Sequence, residues 1–203
     1  MRMLERHDQA ITYCTFCPKL CRHACPVAHA EARETVTPQG KQSLLDQVRR
    51  GLAPLDHDAV DIFHRCTGCG LHATACELEV EVAPVMFDAR AEGVKAGVVH
   101  PALADLEDRV ERPVRGPGEL SGSVFFPGCT TQPSLVETGL ATARRVDPGV
   151  TLADGVGCCG YPLLAGGRPD AFHRQAAAVG SALAGTTRVI TGDPICAWTL
   201  GHA

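Results

Sequence analysis

Residues 14–26 read Cys14-Thr15-Phe16-Cys17-Pro18-Lys19-Leu20-Cys21-Arg22-His23-Ala24-Cys25-Pro26, with cysteine at four of the positions. The cysteines are separated by two, three and three residues, so one short segment can present several thiolates to a single site. A second set follows at 66–77, Cys66-Thr67-Gly68-Cys69-Gly70-Leu71-His72-Ala73-Thr74-Ala75-Cys76-Glu77. A third is dispersed over Cys129, Gly157-Cys158-Cys159-Gly160 and Asp193-Pro194-Ile195-Cys196. These sets account for all 11 cysteines of the 203 residues. Such sets are what iron–sulfur clusters need, because each iron wants a soft thiolate donor.

Composition narrows the setting. Apolar residues make up 45% of the chain, enough for packed cores, while 21 glycines and 14 prolines leave room for many loops. A net charge of −4 and the lack of a long basic run argue against a nucleic-acid partner. No apolar run reaches the ~18 residues of a membrane span. The opening segment, MRMLERHDQAITYC, lacks the apolar core of a secretory signal. The expected compartment is therefore the cytoplasm, where cysteines in this number serve metal sites rather than disulfides. The odd cysteine count points the same way.

Elements can be placed around the cysteines. Helical spacing runs from Arg2 to Tyr13. Thr37-Pro38 supplies a cap and first position for a helix to about Arg50, stopped by Gly51. Asp56 caps a short helix to His64. Ala83–Ala96 is expected to be helical, packing through Val85, Phe87, Ala89 and Val94, and Pro101–Glu111 is expected as a further helix. The Pro/Gly-rich stretch 113–122 reads as a linker. Beyond it come a strand at Val124–Phe126, a helix Pro133–Val146, a strand Val150–Ala153, a helix Pro169–Leu183 and a strand Arg188–Thr191. Strands alternating with helices predict a parallel sheet. The expected organisation is a helical domain over 1–112 and an α/β domain over 123–203.

The run 14–26 closes in Cys-Pro and so resembles bacterial ferredoxin motifs, in which three cysteines hold one [4Fe-4S] cluster and the fourth reaches another. That resemblance implies two clusters with exchanged ligands. Cys14, Cys17, Cys21 and Cys76 would hold the first. Cys25, Cys66 and Cys69 would hold the second, with His72 standing where the usual spacing puts a cysteine. His72 can be read as an iron ligand, as a gap that leaves an open iron or a three-iron cluster, or as an ordinary loop residue. Replacing thiolate by neutral imidazole would raise the second cluster's potential. The first motif has one residue more than the bacterial spacing between Cys17 and Cys21, and Cys76 precedes glutamate rather than proline. Zinc is the competing metal, but zinc ribbons pair their cysteines two and two rather than in a run of four. The roughly 40 residues between the motifs look helical. This is similar to the α-helical two-cluster ferredoxin domain of fumarate reductase and related iron–sulfur subunits.

The last set resembles the cysteine-rich CCG domain of heterodisulfide reductase, of anaerobic glycerol-3-phosphate dehydrogenase and of the glycolate oxidase iron–sulfur subunit. Adjacent thiolates suit bridging of different irons, and Gly157 and Gly160 let the chain bend there. Cys129, Cys158, Cys159 and Cys196 match that family's pattern, while Asp193 stands where it has a further cysteine. Asp193 is a harder donor and would weaken a soft-metal site. An iron–sulfur centre, zinc and an empty vestige all stay open there. The family carries two such repeats, and only a first, C-terminally short one is found here. Either another subunit supplies the second repeat or the chain is a truncated or split gene product, and in both cases exposed apolar surface is expected on the α/β domain.

The resemblance implies an iron–sulfur electron-transfer subunit of an oxidoreductase complex. It would relay electrons between a flavoprotein dehydrogenase or oxidase subunit and a quinone, disulfide or other acceptor, and would sit on the inner face of a membrane through its partners. The alternative is a non-redox zinc scaffold that docks a flavoprotein. No nicotinamide or flavin fingerprint appears, so substrate chemistry belongs to a partner.

Overall fold

Helix caps and apolar stripes shape the first half of the chain. The computed structural model describes residues 2–110, 116 and 119–202. Two compact units divide it: 1–104 with 165–168, and 105–164 with 169–203. Of the expected linker and the end of the helix before it, residues 111–115, 117 and 118 lie outside the described residues.

In the first unit a 3-10 turn, Arg2–His7, leads into α1 (Asp8–Phe16), which runs past Tyr13 and carries Cys14 in its last turn. A 3-10 turn Arg22–Ala24, the short α2 (Pro26–Glu31) and a 3-10 turn Glu34–Val36 follow. Next come α3 (Pro38–Arg49) and α4 (His57–His64). Both start at the expected caps: Thr37 Oγ1 accepts from the Gly40 amide at 3.0 Å, and Asp56 Oδ1 from that of Ala59 at 3.0 Å. His72 rides on the 3-10 turn Leu71–Ala75, and α5 spans Val82–Lys95. The helix expected over 101–111 is broken instead into a 3-10 turn, Pro101–Leu103, and α6 (Leu106–Val110), the latter in the second unit.

Helix α5 is buried on several sides. Val82, Val85, Met86 and Ala89 join Leu4, Ile11, Leu45, Val48 and Phe63 in the core. Val94, expected in that core, is only half-buried. The polar residues that α5 takes inside are satisfied. Asp88 accepts a bidentate pair from Arg6 at 2.8 and 2.7 Å, and His7 adds a contact at 2.9 Å. Arg90 donates to the carbonyls of Phe63 and Cys66.

The second unit is built on a parallel sheet of β1 (Gly122–Phe126), β2 (Thr151–Leu152) and β3 (Thr186–Thr191), in the order β2-β1-β3. Phe125 pairs with Leu152 on one side and Ile190 on the other. Helices α7 (Pro133–Val146), α8 (Tyr161–Ala165), α9 (Pro169–Leu183) and α10 (Pro194–His202) complete it. Val124 and Phe126 pack into one cluster with Val156, Val179 and Ala182, while Phe125 enters another with Leu140, Ala143 and Val150. This is the period-2 alternation of a sheet covered on both faces. The chain as a whole is mostly helical with a short three-stranded parallel sheet, as the alternation of elements predicts. Among the described residues no helix is long and apolar enough to cross a membrane.

Candidate metal centres

The first cysteine motif wraps a small cavity in the first unit, lined by Cys14, Cys17 and Cys21 and closed by Cys76 from the second motif. Cys17 ends α1 in an extended conformation, and its amide donates to the Cys14 carbonyl at 3.3 Å. The extra residue of this motif is taken up at Lys19, whose φ of 68° turns the chain so that its carbonyl accepts from the Arg22 amide at 3.0 Å. Burial pushes the Cys14 thiol up to about 12, with Cys21, Cys76 and Cys17 adding like-charge repulsion. Cys21 is raised by burial and then by Cys76 and Cys17. Four thiolates this close need positive charge among them before all can ionise. Cys76 also accepts from the Val80 amide, at 3.5 Å.

The second cavity, also small, is lined by Cys25, Cys66, Cys69 and His72, together with Lys41 and Arg65. Cys25 immediately precedes α2, with Pro26 in its first turn. Gly68 and Gly70, at φ 73° and 72°, give the loop its left-handed turns on either side of Cys69. Arg90 holds the Cys66 carbonyl. His72 is buried, and its Nε2 stands 2.9 Å from the Val80 carbonyl and 3.3 Å from the Val82 amide nitrogen. Among the described residues its Nδ1 has no hydrogen-bond partner. Burial lowers the pKa of Lys41, and the Cys25 and Cys66 thiolates oppose that shift.

The third set collects outside the carboxyl ends of the parallel strands. Cys129 follows β1, Cys158 and Cys159 lie between β2 and α8, and Cys196 sits in the first turn of α10, after β3. Because the chain leaves the central β1 first to one side and then to the other, these loops meet where the strand order reverses, the usual ligand position in open α/β sheets. Cys129 and Cys158 have their sulfurs 3.2 Å apart, and Cys159 and Cys196 theirs 3.5 Å apart. The thiol of Cys158 donates to Cys129, which is thereby lowered to about 7. Cys159 is lowered to about 3, chiefly by hydrogen bonds from Cys158 and then Cys196, and both of those donors are raised in turn. Asp193 is hydrogen-bonded through both carboxylate oxygens. Its Oδ1 caps α10, accepting from the amides of Ile195 at 2.8 Å and Cys196 at 3.3 Å, and its Oδ2 accepts from the Thr130 hydroxyl at 2.8 Å.

The donors of the first two cavities are soft thiolates with one imidazole, which suits iron–sulfur clusters. Among the described residues no group of three or more His, Cys, Asp and Glu side chains is drawn together tightly enough for one metal ion. A lone tetrahedral zinc would need sulfurs about 3.8 Å apart, following from its ~2.3 Å bonds to thiolate. All 11 cysteines are free thiols. Compared with known proteins, the chain matches no family model, no curated sequence and no solved structure.

Lys41 and Arg90 escape a reading of the sequence. Both are basic residues at helical positions that look like solvated faces, and only the packing of α3 and α5 turns them inward.

Proposed function

We propose that the chain is an iron–sulfur electron-transfer subunit of a multi-subunit oxidoreductase, with an α-helical two-cluster ferredoxin unit followed by a CCG-type α/β unit. One observation carries this reading: the two motifs exchange their last cysteines. Cys76 lines the cavity of the first motif, and Cys25 lines that of the second. The 3-10 turns Arg22–Ala24 and Leu71–Ala75 pack against each other, which brings the two cavities into one helical unit. A pair of zinc ribbons has no need of such an exchange, whereas two neighbouring cubane clusters use it.

Cys14, Cys17, Cys21 and Cys76 would hold one [4Fe-4S] cluster, and Cys25, Cys66, Cys69 and His72 the other. When bound, the clusters supply one-electron redox chemistry. The chain's own residues hold them in place and limit water. Leu20, Leu78 and Val80 wall the first cavity, and the Val80 amide donates to a ligand sulfur there. Phe16, Leu20 and Leu78 are exposed near that cavity and offer an apolar rim to a partner. In this reading the partner is a flavoprotein dehydrogenase or oxidase subunit. The second unit then relays electrons to, or docks, a quinone- or disulfide-reducing subunit. Leu135, Val146, Ile195 and Trp198 are exposed on the second unit, which suits such docking.

Anaerobic purification with iron, sulfide and zinc analysis tests the proposal. About eight irons per chain, with matching sulfide, are expected from two four-iron clusters. Zinc alone would overturn it in favour of the scaffold.

A further inference from the structure

Lys41 is 2% exposed and lies in the first half of α3, lining the cavity ringed by Cys25, Cys66, Cys69 and His72. Among the described residues its ammonium donates one hydrogen bond, to the Val36 carbonyl, and pairs with no carboxylate. The same carbonyl accepts the Cys25 thiol, with sulfur and oxygen 3.7 Å apart, so the ammonium and a ligand sulfur share one acceptor. Gly40 permits this approach. A Cβ there would stand 2.9 Å from the Thr35 carbonyl oxygen, so α3 is pressed directly onto the turn that carries Val36.

A buried cation without a counter-charge is strongly unfavourable, and proteins keep one where an anion compensates it. The neighbouring basic groups do not raise the same question. Arg65 is paired with Asp61 and Glu31, and Arg90 donates to backbone carbonyls. The first cavity differs, since it has no lysine or arginine in its lining and carries Glu77. The two sites are thus unlike in charge as well as in ligand.

We propose that Lys41 is the counter-charge of the anionic cluster held by Cys25, Cys66, Cys69 and His72, a positioning residue that makes this cluster the place where an electron rests. The proposal rests on the electron-transfer reading above. A fixed cation in a low-dielectric site stabilises the more negative, reduced cluster more than the oxidised one. Neutral His72 acts in the same direction, because it removes one negative ligand. Both features stand at one cavity and neither at the other.

The test compares the anaerobically purified full chain with Lys41→Met, which keeps the stem and removes the charge, and Lys41→Arg, which keeps the charge. Each is assayed for iron and sulfide and titrated potentiometrically with EPR detection. In Lys41→Met the second cluster's midpoint is expected to fall so that its reduced-to-oxidised ratio drops about tenfold at a given potential, about 59 mV for one electron. The first cluster stays in place, and Lys41→Arg stays near wild type. Loss of the second cluster alone in Lys41→Met, with retention in Lys41→Arg, supports the same role. An unmoved second midpoint in Lys41→Met overturns the proposal. So does an equal shift of both clusters, or loss of the second cluster in both variants, which would assign Lys41 a packing role. Wild-type protein without iron and sulfide overturns the electron-transfer reading itself, and the metal assay alone separates that result from the others.

Discussion

His72 Nε2 lies 2.9 Å from the carbonyl oxygen of Val80. The Val82 N–H is directed at the same nitrogen from 3.3 Å, but the nearer Val80 oxygen can only accept, so we assign the ring proton to Nε2, donating to Val80. That tautomer leaves a lone pair on Nδ1. Histidines that bind metals commonly anchor their other nitrogen to a backbone carbonyl in this way, which fixes both ring orientation and tautomer.

On the proposed two-cluster reading, the second cluster is expected to titrate at a higher potential than the first in the wild type. His72→Cys would add a negative ligand and is expected to lower that midpoint, and His72→Ala is expected to lose part of the iron. EPR-monitored redox titration with iron analysis checks both. A second midpoint below the first in the wild type would count against imidazole ligation.

Asp193→Ala removes the cap of α10 and should destabilise the chain by about 1 kcal/mol, the usual cost of such a loss. Asp193→Asn should lose much less. Because both carboxylate oxygens serve the cap and Thr130, metal content should be unchanged in either variant. Urea unfolding and metal analysis report the two outcomes separately.

Gly139 lies within α7, where a Cβ would stand 2.6 Å from Phe125 Cζ. Alanine there gains about 1 kcal/mol in helix propensity. Over-packing a ring held in the sheet's core costs about 1–3 kcal/mol. The clash should win, so Gly139→Ala is expected to lower the urea midpoint with little change in slope.

His64 has its pKa lowered to about 4, mainly by burial and then by Arg90 and His100. The unfolded chain takes up this proton near pH 6.5, well before the folded one does. Stability from this group is therefore complete above pH 6.5 and falls as the pH drops from 6.5 towards 4. Thermal melts across that range should show the loss in wild type and a smaller slope in His64→Gln.

The chain's local chemistry was legible without coordinates. Thr37 and Asp56 announce their helices because a capping oxygen acts within a few residues. Pro133–Val146 and Pro169–Leu183 declare themselves by proline starts and helical periodicity. The alternation of strand and helix predicts a parallel sheet, while the placing of Cys76 with the first motif and Cys25 with the second is what the resemblance to ferredoxin motifs implies. Where short elements depend on neighbours the sequence says less. The helix expected over 101–111 breaks after Leu103, β2 shrinks to two residues, and Val94 stays half outside the core.

What only the tertiary structure decided is the surroundings of the cysteines. That Cys25 and Lys41 meet at the Val36 carbonyl, that Asp193 caps a helix, and that His72 is anchored through Nε2 depend on how segments pack and orient, and residue spacing does not encode that. Cysteine spacing is set by short loops and can be read along the chain. The charge and hydrogen bonds around those side chains come from residues brought in by other elements, Lys41 by α3 and Arg90 by α5, because burial and Coulomb interaction act through space.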